Sequence, residues 1–304
     1  GGGANTERLF KYGAIMKIMA QAVKEAKSKV QSVSEEDKTL EQDAADLVNR
    51  LVVTNVLAWE EATNAGIPTV GLRVSFGIKN SRRFKDLFTF TGSTPLGTSA
   101  GTGEAIHLVD SVIDRSQINK DEYLCLFKQA TDGSYRFNKD VKKDVIDRYQ
   151  DPHLSELYRR SQRYSGKGCL NAVDHVNNIL ARAFEGLRIT NLYNLVNVDR
   201  ELLNQEKQIA IERGQLRTGS SIEKQIEIMQ RKGNLGMNAI LSQSLALARL
   251  VAHMQGKELW EILRQVLTET MAKVIAANGG TEILPEDMVK KLTLKDDRPL
   301  WVTL

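Results

Sequence analysis

Two cysteines and four histidines are all that 304 residues provide of the residues most used for soft-metal and disulfide chemistry. Cys125 and Cys169 stand far apart in sequence, outside any CxxC or mixed Cys/His spacing. That argues against a disulfide framework and for a reducing, cytoplasmic setting. His107, His153, His175 and His253 are scattered, and no HExxH occurs. An excess of one charge is also missing. Forty-two Lys and Arg face 38 Asp and Glu, a net charge of +4, and the signs alternate along most of the chain. Such a mixture reads as solvated surface, not as a nucleic-acid footprint. Nor is there an apolar run fit to span a bilayer. The most apolar stretch, Gly233 to Ala252, is interrupted by Ser242, Gln243, Ser244 and Arg249. No signal peptide is visible. The expectations are no nucleic-acid partner and no membrane.

What is present is an ordinary globular balance, 41% hydrophobic and 26% charged, enough for a sizeable core. Leu9, Tyr12, Met16, Met19 and Val23 recur at helical spacing and predict a helix from Thr6 to about Ser28. Ser34 is placed to cap a second one, from Glu35 to about Asn49, with Leu40, Ala44, Leu47 and Leu51 inward. From Leu51 the period changes. "LVVTNVLAWEEA" and "TVGLRVSFG", joined by the turn cluster "TNAGIP", read as strands, and "RRFKDLFTFTG" as a third. "EYLCLFKQATDGSYRF" reads as a hairpin about Asp132-Gly133. The charged stretch after it reads as short helices broken before Pro152.

From Gly166 on, the pattern is helical. Leu170, Val173, Val176, Ile179, Leu180 and Phe184 form one stripe, and further helices end at Gly214 and at Gly279-Gly280. "RPLWVTL" reads as an edge strand. The chain thus divides into a helical arm (1–50), a β-meander (51–112), an insertion (113–165), a helical bundle (166–280) and a tail (281–304). The fold class is α+β: a three-stranded antiparallel meander packed on a helical bundle, with a helical N-terminal arm.

Several of these blocks resemble the enolase family, in the family's order. "GMNAILSQSLALA" is similar to GANAILGVSLAVA through Gly236, Asn238, Ala239, Ile240, Leu241, Ser244, Leu245, Ala246 and Ala248. "YSGKGCLNAVDHVNNIL" is similar to YLGKGVLKAVENINNTL, "GIPTVGLRV" to GNPTVEVEV, and "PLGTSAGTGEA" to PSGASTGxxEA. The resemblance covers about residues 51–112 and 164–265, which in the family form the amino-terminal capping domain. "TERLFKY", Thr6 to Tyr12, resembles the SERLAKY segment near the family's carboxy terminus. Two readings of that order stand side by side. Either the gene is circularly permuted with the catalytic barrel encoded upstream, or the barrel has been lost. The absence of an initiator Met before "GGGANTERLF" favours the first.

Enolases dehydrate 2-phosphoglycerate to phosphoenolpyruvate, using a lysine base and two magnesium ions held by carboxylates on barrel strands. No GDD-like, SHRSGE-like or KxNQIG-like segment occurs in this chain. Asp296 and Asp297 are adjacent, so on a strand they would face opposite sides and make a poor metal pair. No catalytic residue is therefore assigned.

One cap element carries over by resemblance. The second serine of the family's loop helps bind magnesium as the loop closes on substrate, and Ser99 matches it, flanked by Thr98, Gly101 and Thr102. The rival reading is an ordinary polar turn, favoured while no barrel is joined. Departures also stand out. Trp59, Thr63-Asn64-Ala65, Gly71 and Asn5 replace family residues tied to subunit contacts and loop support. Arg159, Arg160 and Arg163 read as a docking patch or, more commonly, a solvated face, and Asp174 and His175 read as exposed.

The resemblance therefore implies a capping module that is non-catalytic by itself and has a protein-binding or assembly role. The alternative is part of a permuted or split magnesium-dependent enolase. On the first reading the chain needs no cofactor, and on the second it needs magnesium. The partner is a second copy of the chain or a barrel-containing polypeptide.

Overall fold

A computed structural model describes residues 46, 49–82, 84–96, 104–217, 219–280 and 287. The expected helix over 6–28, nearly all of the second, the 97–103 loop with Thr98, Ser99, Gly101 and Thr102, the Asp296-Asp297 pair and the tail strand lie outside the described residues. Asp46, Asn49 and Arg50 are helical.

The meander forms where the period of two begins. β1 (Leu51–Ala62), β2 (Pro68–Ile78) and β3 (Phe88–Ser93) pair antiparallel in the order β1-β2-β3. Val56 faces Val74, and Val74 faces Phe90 on its other side. In β2 the alternate residues Val70, Leu72, Val74 and Phe76 are all fully buried. Arg73, on the opposite face, is exposed. One side of the sheet is thus core, and most of the chain's largest hydrophobic cluster is built on it.

The helices are α1 (Lys143–Asp147), α2 (Pro152–Gln162), α3 (Leu170–His175), α4 (Ala181–Phe184), α5 (Leu195–Glu212), α6 (Ile222–Arg231), α7 (Met237–Gln255) and α8 (Leu259–Ala277). A π-helical turn, Val176–Leu180, joins α3 to α4. Of the predicted stripe, Val173, Val176, Leu180 and Phe184 are buried against the sheet. The same continuous element covers the free edge of β1. Asn177 Oδ1 accepts from Ala58 N at 2.8 Å while its Nδ2 donates to Ala58 O at 3.2 Å. Val53 N donates to Leu187 O, and Gly186 N to Val53 O. The edge strand therefore keeps few open backbone groups with which to pair another chain.

α7 packs directly against β3. A Cβ built on Gly92 of β3 would lie 1.8 Å from the backbone oxygen of Ser242, so only glycine lets this strand touch this helix. On the helix side the contact is lined by Ala239, Ser242 and Ala246, all fully buried. This is why the stretch beginning "GNLGMNAIL" is so rich in small residues.

The segment between meander and bundle builds a core of its own. Ile113, Ile118, Tyr123, Leu126, Phe127, Ile146, Leu154 and Leu157 form a separate buried cluster. The hairpin is present as β4 (Phe127–Gln129) and β5 (Tyr135–Phe137). The residues before it are not strand: Asp121–Leu126 is a 3-10 helix that buries Tyr123 and Leu126, three places apart. α2 begins as Pro152 suggests, with Asp151 accepting from His153 N as its N-cap.

Candidate functional site

Ser99 itself lies outside the described residues, but both stems of its loop are described, and both are fastened to the start of α7. On the first stem Thr94, 1% exposed, donates from Oγ1 to Asn238 O at 2.9 Å. It also lies 2.7 Å from Ser242 Oγ, and Ser242 in turn donates to Val70 O at 2.8 Å. On the second stem the Asn238 side chain reads a backbone. Its Oδ1 accepts from Leu108 N at 3.1 Å and its Nδ2 donates to Leu108 O at 3.0 Å. Met237 N donates to Ile106 O, and Ile106 N to Arg231 O.

Asn238, fully buried, thus bonds to both stems at once. Gly236 makes that possible. Its φ is +97°, and a Cβ there would sit 2.7 Å from the Cβ of Leu108. The Gly-x-Asn of "GMNAIL" works as a clamp for the polar loop. His107 sits beside it with Nδ1 buried and unpartnered, and burial holds its pKa below the ordinary histidine value.

A second knot ties the insertion to the sheet. Arg163 grips Glu60 of β1 with both terminal nitrogens, NH1 to Oε1 at 2.9 Å and NH2 to Oε2. Glu60 Oε1 also accepts from Cys169 N at 2.8 Å. Burial would raise the Glu60 pKa, but these bonds and the Arg163 charge outweigh it and hold it below the usual carboxylate value. Asp110, fully buried, accepts from Leu170 N at 2.9 Å and Asn171 N at 2.8 Å, capping α3 from sixty residues away. Burial pushes its pKa up in spite of those two bonds. Cys169 beside it is buried, which pushes its thiol pKa up and leaves it a core residue. Cys125 is exposed, and neither cysteine is in a disulfide.

Two expectations need correction here. Arg160 and Arg163 are not a solvated face, their side chains being only 22% and 24% exposed. Arg160 binds Glu156 at 2.8 Å and Asp174, and only Arg159 points mostly to solvent. His175 is not exposed either. Its Nδ1 lies 3.0 Å from Leu235 O, and burial lowers its pKa to about 4. Asp174 is half-buried by its bond to Arg160. The partners come from distant segments: Arg160 of the insertion reaches Asp174 of α3, Arg163 reaches Glu60 of β1, and His175 meets the backbone just before α7.

Between α2 and α3 lies a polar cleft of about 300 Å³ lined by one face of α2, one face of α3, Gln117 and Arg213. On α2 these are His153, Glu156, Leu157 and Arg160, and on α3 Asn171, Asp174 and His175, all at spacings of three and four. Among the described residues, no group of three His, Cys, Asp or Glu is placed to hold a metal ion. No helix among the described residues is long and apolar enough to cross a membrane.

The architecture is that of an α+β module in which a meander is backed by helices and the segments ending at 96 and beginning at 104 are both fastened to the start of α7. The enolase of Legionella pneumophila (strain Corby) is 33% identical to this chain over 121 residues, 39% of this chain and 23% of that enolase. The chain therefore spans less than a quarter of that relative. No family model matches it.

Trp59 and Gly71, two departures from the enolase pattern, are accounted for together. They face each other across β1 and β2, and a Cβ on Gly71 would lie 3.0 Å from the Trp59 indole nitrogen and 2.2 Å from Glu61 Oε2. The Glu61 carboxylate, with the edge of the Trp59 ring beside it, occupies the space that Gly71 leaves.

Proposed function

We propose that this chain is an enolase-like capping module, non-catalytic by itself, with a protein-binding or assembly role. The observation that carries the reading is the Asn238 clamp. The "GMNAILSQSLALA" segment, one of those that resemble enolases, is the one that fastens the segments on either side of Ser99. Assembly is supported by α8, whose Leu263, Leu267 and Val274 are each at least half exposed and fall on one helix face at spacings of four and seven. The partner is a second copy of this chain or a polypeptide carrying a catalytic barrel, in the cytoplasm.

The test has two parts. Sedimentation over a wide concentration range should reveal self-association, or association with a barrel polypeptide supplied in trans. A monomer that takes up neither would overturn the assembly role. The purified chain with magnesium and 2-phosphoglycerate should form no phosphoenolpyruvate, and turnover by the chain alone would overturn the non-catalytic reading.

A second reading is favoured by the same clamp: the chain is part of a permuted or split enolase whose barrel lies elsewhere. Ser99 would then contribute one hydroxyl to a magnesium ion as the loop closes. One hydroxyl does not make a magnesium site, because that ion requires several oxygens around it. The described residues do not complete one, so the remaining ligands would belong to the barrel. Under this reading Ser99→Ala weakens magnesium-dependent turnover of the complete protein, and unchanged kinetics would remove Ser99 from the site.

A further inference from the structure

One end of the meander is basic. β1 and β2 are antiparallel with Leu51 opposite Ile78, so the connection from β2 to β3, residues 79–87, lies beside the point where the chain enters β1. That connection is held in place. Ile78 N donates to Phe84 O at 2.8 Å, Phe84 N to Ser81 Oγ at 3.1 Å, and Thr54 Oγ1 of β1 to Lys85 O at 2.6 Å. A Cβ on Gly77 would lie 2.2 Å from the backbone oxygens of both Phe84 and Lys85. Lys79, Arg82 and Lys85 are exposed on the connection, and Asp86 is its one acid. Arg50, at the entrance to β1, is exposed too, as is Arg188, which bridges to Val52 on the other side of that strand. Unlike Arg160, Arg163 and Arg213, none of these five cations is in an ion pair among the described residues. Phe84 and Leu87 stand among them, 41% and 38% exposed.

The stretch of chain that arrives there carries the opposite charge. Residues 35–46 hold Glu35, Glu36, Asp37, Glu41, Asp43 and Asp46 against Lys38 alone. The spacing predicts a helix from Glu35 to about Asn49, and Asp46, Asn49 and Arg50 are helical. In that helix Leu40, Ala44 and Leu47 make one stripe. Glu36 and Asp43, seven apart, border it on one side, and Asp37 and Glu41, four apart, on the other. An apolar stripe with acidic borders is the complement of an apolar pair among cations. The predicted helix is about 22 Å long, so its acids stay within that distance of Leu51. A single exposed ion pair contributes little, so several are needed together. The tether supplies the rest. A segment joined to a surface through a few residues meets it at an effective concentration on the order of millimolar, which favours the chain's own segment over that of a second copy.

We propose that the acidic segment 35–46 docks on the basic end of its own chain's meander, with Leu40 and Leu47 against Phe84 and Leu87 and the bordering carboxylates facing Lys79, Arg82 and Lys85. This contact is separate from the Ser99 loop and does not rest on the enolase-like reading. The arm then covers a surface that an outside acidic partner would reach only by displacing it.

The experiment is zero-length carbodiimide cross-linking of an equal mixture of ¹⁴N- and ¹⁵N-labelled full chain, mapped by mass spectrometry. The expected result is an amide link from Lys79 or Lys85 Nζ to a carboxylate of residues 35–46, within chains of one isotope. Its yield should fall about threefold or more between about 0.1 M and about 1 M salt, as the screening length shrinks from about 10 Å to about 3 Å. Arg82→Glu keeps both target lysines and should lower the yield likewise, while amide exchange over 36–45 quickens. Unchanged exchange in β2 and α7 reports that the variant is folded. If it is not, Arg82→Gln should give a smaller drop in the same direction. The absence of any link to 35–46 would overturn the proposal, including where anionic phosphatidylserine vesicles bind this surface instead. Links found only between chains of different isotope would give the surface to a second copy and overturn it too. So would a yield indifferent to both salt and the folded Arg82 variant.

Discussion

Placing a single methyl group at Gly92 should unseat α7 from the meander. A Cβ there would stand 1.8 Å from Ser242 O and 2.8 Å from Ala246 N, both backbone atoms that no side-chain rotation can move aside. Strand or helix must retreat by roughly 1.5 Å to restore ordinary contact. That retreat stretches the bonds that cross the gap, Thr94 to Asn238 O at 2.9 Å and Ser242 to Val70 O at 2.8 Å, both between buried groups. Overpacking alone costs about 1–3 kcal/mol. Weakening one or two buried hydrogen bonds adds about 1–2 kcal/mol. Gly92→Ala is therefore expected to lose about 2–5 kcal/mol in urea unfolding. The control is Gly133→Ala, at φ +85° with nothing within 4 Å of its Cβ. It should lose only about 1 kcal/mol, from the left-handed backbone. A Gly92→Ala loss no larger than the control's would refute the close-contact account of α7.

Further predictions concern the buried polar groups. His175, its pKa lowered to about 4 chiefly by burial and partly by Arg213, is neutral in the folded chain where the unfolded chain begins to charge it near 6.5. Its contribution is fully present above pH 6.5 and is lost as pH falls toward 4, by up to about 3 kcal/mol. His175→Gln should flatten stability against pH in that window, and an unchanged slope would contradict the burial. Gln243 is fully buried with neither side-chain polar atom partnered, so Gln243→Met should stabilise thermal unfolding by about 1–2 kcal/mol, and a loss would mean a missing partner. Arg163→Met leaves Glu60 half-enclosed and should cost about 2 kcal/mol, with a double-mutant cycle on Glu60→Gln showing coupling and additivity disproving the pair. Leu154→Ala should cost about 2–4 kcal/mol and lower hydrogen-exchange protection over 113–157 before that of β2 and α7, whereas uniform loss would join the two cores into one.

The parts of the fold legible in sequence were those with a simple period. Alternation marked the meander, spacing of three and four marked α3, and Gly214 and Gly279 closed α5 and α8 as their positive φ permits. α6 escaped the reading because it buries no residue, and Ile222 and Ile226 are exposed. Asp121–Leu126 was misread as strand because a 3-10 turn also repeats within a short apolar run. The loop motif around Ser99 was visible from resemblance alone. Its clamp was not, because Asn238 reaches Thr94 and Leu108 across more than a hundred residues.

Taken alone, the sequence determined the local choices: which stretches alternate, which are amphipathic, where glycine must stop a helix, and that the class is α+β. Those depend on neighbours within a few residues, through backbone sterics and side-chain period. The tertiary structure decided what the polar groups mean. Whether Arg163 is solvated or locked to Glu60, and whether His175 is charged or neutral, depend on which distant segments each of them meets in the fold. Burial, and the desolvation that comes with it, is set by distant segments, and no local pattern of residues encodes it.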